Sequence, residues 1–431
     1  MSNSIAEYIG RLIIATMLIA CLTSCENKGE SKAALAQPQT LITALIWAPD
    51  WPREMDQIAE EFTKANPQIR VNVQFMIGNS VEENLMPKVG SRALPDLMSV
   101  NPNAFTARLA DQKLLMDLGD TAAWTNMLEP LKGDWTSPAN HRFGITAGVA
   151  TTAIFFNKDL FQRAGISSLP TNFDEFLAVC EKLKKAGITP IMWNGGFANM
   201  LGNGPFSSGF ANNIVGAHAN WKRSIADGSL NLDSAATADI FSKIKLVAQR
   251  GYVQDDFMST NYDQGIKLFT EGKTAMAFHG TWAAGLLMHG KGFQTGLFMP
   301  PWNTAGKLPV PVVGSETGFA VANAANRKEA MAFLEFIVGK GFSIQQNKRQ
   351  NIPAMKQVDG VVVNDVALTE YMRVVNQMPV SASPYYAFLP ASTLELVHSL
   401  MQEVLFGNIT PQQAASSLDA SIKGEAEKTN K

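Results

Sequence analysis

The chain has 431 residues, a net charge of −2, and 46 % hydrophobic against 17 % charged side chains. Near-neutral charge excludes a nucleic-acid partner, which requires a basic surface. The length and composition fit a packed soluble protein with room for two domains of about 100–200 residues each.

In chain order, the first feature is "LIIATMLIACLTSCENKGESK" at 12–32. Its apolar run, 12–22, is shorter than the roughly 20 residues that span a bilayer, and fits the apolar core of a secretory leader. Leu22-Thr23-Ser24-Cys25 resembles the lipobox of bacterial lipoproteins, in which cleavage precedes a lipid-modified cysteine. That resemblance implies a leader at 1–24, lipidation of Cys25 and a polar tether over 25–39. Cys21 leaves with the leader, so Cys180 has no partner and disulfides are not expected to hold the fold.

Strand, helix and strand follow. The run 41–47 is apolar and strand-length. Met55, Ile58, Ala59 and Phe62 share one helical face, and 71–77 alternates with period two. A helical stretch near 82–92 leads to a short strand at 96–100. The middle repeats the pattern, with a buried strand at 150–156, a helix capped by Thr171, Gly187 at its end and a strand at 188–193. Cys180 lies on that helix's apolar face and reads as a buried, inert thiol. A further helix ends near 271–272, followed by a strand at 274–278 and a helix starting near Thr281. Strands alternating with helices predict an α/β protein.

Several of these segments resemble one family. Phe156-Asn157-Lys158-Asp159-Leu160-Phe161, then Pro170-Thr171-Asn172-Phe173-Asp174-Glu175-Phe176, is similar to the signature of the family 1 extracellular solute-binding proteins. These are the maltose-binding-protein-like components of bacterial ABC importers. Residues 268–283, 318–337 and 406–419 resemble further family motifs in the same order, with His279 and Thr281 standing where the family usually has Asn and Pro. The resemblance implies a two-lobe periplasmic-binding-protein fold, type II-like, each lobe a mostly parallel sheet flanked by helices. Three hinge crossovers are expected near 146–150, 296–300 and 342–351, with Gly144 and Gly148 as candidate hinge or turn glycines. Lobe one then takes 40–147 and 300–343, and lobe two 148–299 and 344–431.

Ligands of such sheets bind beyond the carboxyl ends of strands. Sugars offer C–H faces to aromatic planes and hydroxyls to Asp, Asn and Glu. Strand-end positions therefore supply the candidates: Trp47, Asp50 and Trp51; Asn101 and Asn103; Trp193, Asn194 and Phe197; and, more weakly, Glu316 and Tyr385. Trp282 matches the family's motif tryptophan, which the resemblance assigns to sugar stacking; Trp302 is left outside this set. These positions carry no Arg or Lys apart from Arg53 in the first helix, which favours a neutral, hydroxylated ligand.

The implied role is the substrate-binding component of an ABC importer, exported and anchored at the cell envelope through Cys25. It is expected to act as a monomer beside permease subunits, in the periplasm or on the outer face of the plasma membrane according to the host. The alternatives are a binder of a polyamine or glycerol phosphate on the same fold, and a glycoside hydrolase. Little supports an enzyme. The five histidines lack metal-ligand spacing, "GLLMHGKG" (285–292) ends in Gly where a phosphate loop needs Ser or Thr, and "GSETG" (314–318) misplaces its serine for a nucleophile elbow. No cofactor or metal is expected.

Overall fold

A computed structural model describes residues 39–78, 80–358 and 365–429. The leader, Cys25 and the tether up to residue 38 lie outside the described residues. Among the described residues no helix is long and apolar enough to cross a membrane.

Lobe one grows from strand β1 (Thr40–Ile46), which pairs in parallel with β2 (Ile69–Phe75) and β3 (Leu97–Val100). Helix α1 (Pro52–Ala65) makes the crossover between β1 and β2. Pro52 sits in its first turn, where a missing N–H costs nothing, and Met55, Ile58, Ala59 and Phe62 are buried as their spacing predicts. The strand read at 71–77 begins and ends two residues earlier. Ile77 lies beyond it, 81 % exposed, where Gly78 turns the chain at a φ of 82°. Helix α2 (Val81–Gly90) starts at Ser80, whose Oγ accepts from the Glu83 N–H. β9 (Gly318–Val321) closes this sheet antiparallel to β3, so Gly318 meets Val100.

Lobe two is organised on β4 (Gly148–Asn157), buried along all ten residues. β5 (Thr189–Met192) runs parallel to β6 (Thr274–Gly280), whereas β6 and β7 (Thr295–Phe298) flank β4 antiparallel. This second sheet is thus mixed rather than mostly parallel, because β4 leaves the hinge while β5 and β6 run back toward it. The consequence matters for function. The carboxyl ends of β5 and β6 return to the start of β4, facing the same side as the ends of β1 and β3. Helix α4 (Phe173–Lys185) packs Phe173, Phe176, Val179, Cys180 and Leu183 inward. Its cap is Asn172 rather than Thr171: Asn172 Oδ1 accepts from the Glu175 N–H, while Thr171 donates its N–H and hydroxyl to the Glu175 carboxylate. Burial pushes the Cys180 thiol well above its usual range, as befits an inert core residue.

At the hinge, β8 (Val313–Ser315) and β10 (Ile352–Pro353) both pair with the first residues of β4. The second crossover runs through 313–317, later than the expected 296–300. Residues before it still belong to lobe two, because Trp302 is inserted among Phe173, Phe176 and Phe278. The third also falls later than 342–351. Helix α6 (Lys340–Arg349) and Met355 share the lobe-one core, and Leu368 is in that of lobe two. Gly144 and Gly148 are required by close packing. A Cβ on Gly144 would lie 2.3 Å from the Trp135 ring, and one on Gly148 would lie 2.8 Å from the Glu316 carboxyl group.

Candidate functional site

Strand ends from both lobes line one cleft with about 940 Å³ of space free of protein atoms, counting the part open to solvent. The loop after β1 contributes Trp47, Asp50 and Trp51, and the end of β3 contributes Asn101. Behind them Glu82, on the first turn of α2, is a buried carboxylate. Its Oε1 accepts from Asn101 Nδ2 at 3.1 Å and Asn103 Nδ2 at 2.6 Å, and its Oε2 from the Ser80 hydroxyl. Asn101 Oδ1 in turn accepts from the Thr317 hydroxyl at 3.1 Å, so this amide braces the lobe-one wall to the hinge.

The floor of the cleft is ionic. Arg349, at the end of α6, donates from Nη1 to Glu316 Oε2 and Gln345 Oε1, both at 3.1 Å, and its Nε faces Asp50 Oδ2 at 3.5 Å. Its guanidinium also lies 5.2 Å from the Trp51 ring centre, a cation–π contact that helps fix that indole. Burial works against the guanidinium charge, but Glu316 and Asp50 outweigh it and hold Arg349 protonated. Burial raises the Glu316 carboxyl above its ordinary value, opposed by Arg349. Asn351 Nδ2 donates a further bond to Glu316 Oε2, at 2.9 Å, whereas Glu316 Oε1 has no hydrogen-bond partner among the described residues.

Lobe two supplies an aromatic wall. Tyr262 opens helix α5 (Tyr262–Thr270), whose Asn261 and Gln264 form a capping box. Phe197, Tyr262, His279 and Trp282 contact one another in sequence, with ring centres 5.6, 5.2 and 5.5 Å apart. His279 is fully buried, and burial lowers its imidazole to about 4. A neutral imidazole accepting from the Gly280 N–H therefore wedges the Trp282 ring. Gly280 is obligatory beneath it, since a Cβ there would lie 1.8 Å from the indole. Helix α7 (Ala391–Phe406) adds Leu394, Glu395 and His398, with His398 Nδ1 at 3.6 Å from Glu395 Oε2. Among the described residues no group of three or more His, Cys, Asp or Glu side chains could hold a metal ion.

Seven of the sequence-read candidates meet here: Trp47, Asp50, Trp51, Asn101, Phe197, Trp282 and Glu316. Four do not line the cleft. Asn103 caps helix α3 (Ala104–Asp111) and braces Glu82. Trp193 is 1 % exposed, edge-on to Phe257 in the lobe-two core, and Asn194 is buried beside it against Gly265. The Tyr385 hydroxyl donates to Asn199 Oδ1 and lies 2.6 Å from His398 Nε2 behind the wall, while its neighbour Tyr386 reaches the cleft. Sequence reasoning missed Glu82, Tyr262, Arg349, Tyr386 and the α7 residues. Only Tyr262 carried a local signal, the Asn-Tyr-Asp-Gln helix start. Arg349 overturns the expectation of a cleft without a cation, although its charge is matched by carboxylates.

A family profile described as bacterial extracellular solute-binding protein matches residues 48–342. An uncharacterized ABC transporter extracellular-binding protein of Pyrococcus horikoshii is 24 % identical over 349 residues, 76 % of this chain and 74 % of its own length. Among solved structures, a raffinose complex of the solute-binding protein RafE superposes with a TM-score of 0.77 at 20 % identity, covering 90 % of this chain and all of that one. A chitin oligosaccharide binding protein gives 0.79 at 19 % identity over 90 % and 99 % of the two chains. A sugar transporter of Bacillus licheniformis, in complex with stachyose, gives 0.76 at 17 % identity over 89 % and 99 %.

Proposed function

The chain belongs to the bacterial extracellular solute-binding proteins, and from that premise we propose that it captures a sugar or oligosaccharide between its lobes and hands it to the permease of an ABC importer. One observation carries the reading. Trp47 on one wall and Trp282 on the other line a single space that is rimmed with acceptors. Sugars need both, since ring C–H faces stack on indoles while hydroxyls require oriented acceptors. Proteins of the same fold in complex with raffinose and with stachyose, and a chitin oligosaccharide binding protein, support it. The carboxylates favour capture over hydrolysis, because Glu316 and Asp50 both face Arg349 rather than standing as a separated acid and base.

Thermal-shift screening against a saccharide panel, followed by calorimetric titration of each hit, tests the proposal. A saturable saccharide that raises the melting temperature supports it, and a panel without a hit sinks it. Of the alternatives, the acidic excess in the cleft favours a polyamine over a glycerol phosphate, so spermidine belongs in the panel. Anchoring through Cys25 completes the proposed role: Cys25→Ser should move the protein from the detergent phase to the aqueous phase. Identical partitioning of both forms would refute the lipid anchor.

A further inference from the structure

The cleft's charge is unbalanced. Four carboxylates line it, on Asp50, Glu82, Glu316 and Glu395, against the guanidinium of Arg349 and the imidazole of His398, and no lysine is among the described lining residues. Arg349 points Nη1 and Nε at Glu316, Gln345 and Asp50, so its charge is engaged within the floor. Among the described residues, buried polar atoms of Asn203, Tyr262, Glu316 and Arg349 line the cleft without a hydrogen-bond partner. Glu316 is 8 % exposed and its Oε1 has no partner; Tyr262 is 8 % exposed and its hydroxyl meets no acceptor. On the facing wall Glu395 keeps half of its side chain exposed, and its bond to His398 holds the carboxyl below the usual range, hence ionised. An anion entering this space would meet like charge in a partly desolvated site. A protonated amine would bring three donors and the missing charge.

We infer that the preferred ligand is an amino-bearing saccharide, held by the unpartnered Glu316 Oε1 and by Glu395 while the indoles cover its ring faces. This rests on the saccharide reading above and narrows it. Uronides and sugar phosphates are excluded by the same charge, and N-acetylation weakens binding by removing the ammonium.

The test is calorimetric titration of the full processed chain with matched pairs: glucosamine with glucose, galactosamine with galactose, and chitosan with chitin oligosaccharides. Oligogalacturonate and spermidine complete the set. The amine member of the best-binding pair should bind about tenfold tighter or more, the scale of a hydrogen bond to a charged group. That advantage should shrink as salt rises. Glu316→Gln should reduce it, and because Glu316 is buried, half-exposed Glu395→Gln serves as the second variant, checked for an unchanged melting temperature. Neutral members binding as tightly as their amines would overturn the inference and leave the saccharide reading intact. Comparable binding of oligogalacturonate, or spermidine outcompeting every saccharide, would also overturn it. A chain that binds no saccharide at all removes both readings.

Discussion

The two walls of the cleft are built on different physics. The lobe-one side and floor form a connected polar network, in which Glu82, Asn101, Asn103 and Thr317 brace one another and Arg349 ties Asp50, Glu316 and Trp51 together, with Glu316 Oε1 and Asn351 Oδ1 left unpartnered among the described residues. The lobe-two side is a row of rings, Phe197, Tyr262, His279 and Trp282, with buried polar atoms at Tyr262 Oη and His279 Nε2 left unpartnered. The polar wall is preorganised by bonds that would be costly to leave unmade. The aromatic wall is held by packing and presents surface. Substitutions should therefore affect folding most on the first wall and ligand affinity most on the second.

The largest effect tests the first half of that contrast. Arg349→Met leaves Glu316 and Asp50 facing each other in the interior without a counter-charge, and should destabilise the apo protein by about 3–5 kcal/mol in denaturant unfolding. Adding Glu316→Gln to Arg349→Met should restore part of the loss, because the penalty belongs to the orphaned charge. A double variant no more stable than the single would show that the network does not act as a charge pair.

On the aromatic wall, acid should find His279. Its folded value of about 4 lies below the ordinary 6.5, so the unfolded chain binds the proton more readily between these values. Its contribution is fully present above pH 6.5 and is lost as pH falls toward 4, at most about 3 kcal/mol. His279→Asn, which substitutes the residue the family motif carries, should flatten that part of the stability–pH curve. Equal slopes for both proteins would mean the imidazole is not held neutral.

Trp282→Ala should separate binding from folding. Trp282 is partly exposed at the cleft, and its truncation removes a stacking platform while Gly280 and the following turn remain. Saccharide affinity should fall by about 2 kcal/mol, roughly thirtyfold. The unfolding midpoint should move far less than loss of a core tryptophan, about 3–5 kcal/mol, would require. Trp282→Phe should retain part of the affinity. Heavy destabilisation with unchanged affinity would make the ring part of the core.

How much of this was legible in the sequence follows the range of each interaction. Periodicity placed α1 and α4 and the strands around them, because a buried face repeats along a helix or strand whatever lies opposite. Strand ends were equally visible, and Trp47, Asp50 and Trp51, read from that position, line the cleft. The same reasoning failed at Trp193, an equivalent strand-end position, because Phe257 arrives from a distant loop to cover it. Tyr385 and Tyr386 differ by one position, and only tertiary packing decides which faces the ligand. Arg349 was unreadable for the strongest reason: its partners Asp50 and Glu316 come from other parts of the chain, and nothing around it announces a cleft. The second crossover was displaced likewise by Trp302, whose neighbours Phe173, Phe176 and Phe278 lie in earlier segments.

The smallest expected effect lies outside both walls, where the lobes touch. Lys222 Nζ, on the lobe-two helix Trp221–Ala226, donates to Asp134 Oδ1 of lobe one at 2.9 Å. The lysine side chain is 55 % exposed and the aspartate 20 %, so solvent screens the pair and it is worth at most about 1 kcal/mol. It exists in the arrangement that brings Trp47 and Trp282 to one cleft, and therefore biases the lobes toward the state that contacts ligand from both sides. Asp134→Asn should weaken apparent saccharide affinity by less than about fivefold, the ceiling that such an energy sets. The same variant should lose part of the salt dependence of binding, since an exposed pair fades as ionic strength rises. Its effect should also add to that of Trp282→Ala, because the two act through different terms, lobe arrangement and direct stacking. An affinity loss far above fivefold would assign Asp134 to the ligand site itself, and the division between a polar wall that holds the fold and an aromatic wall that holds the ligand would need a third, interlobe component.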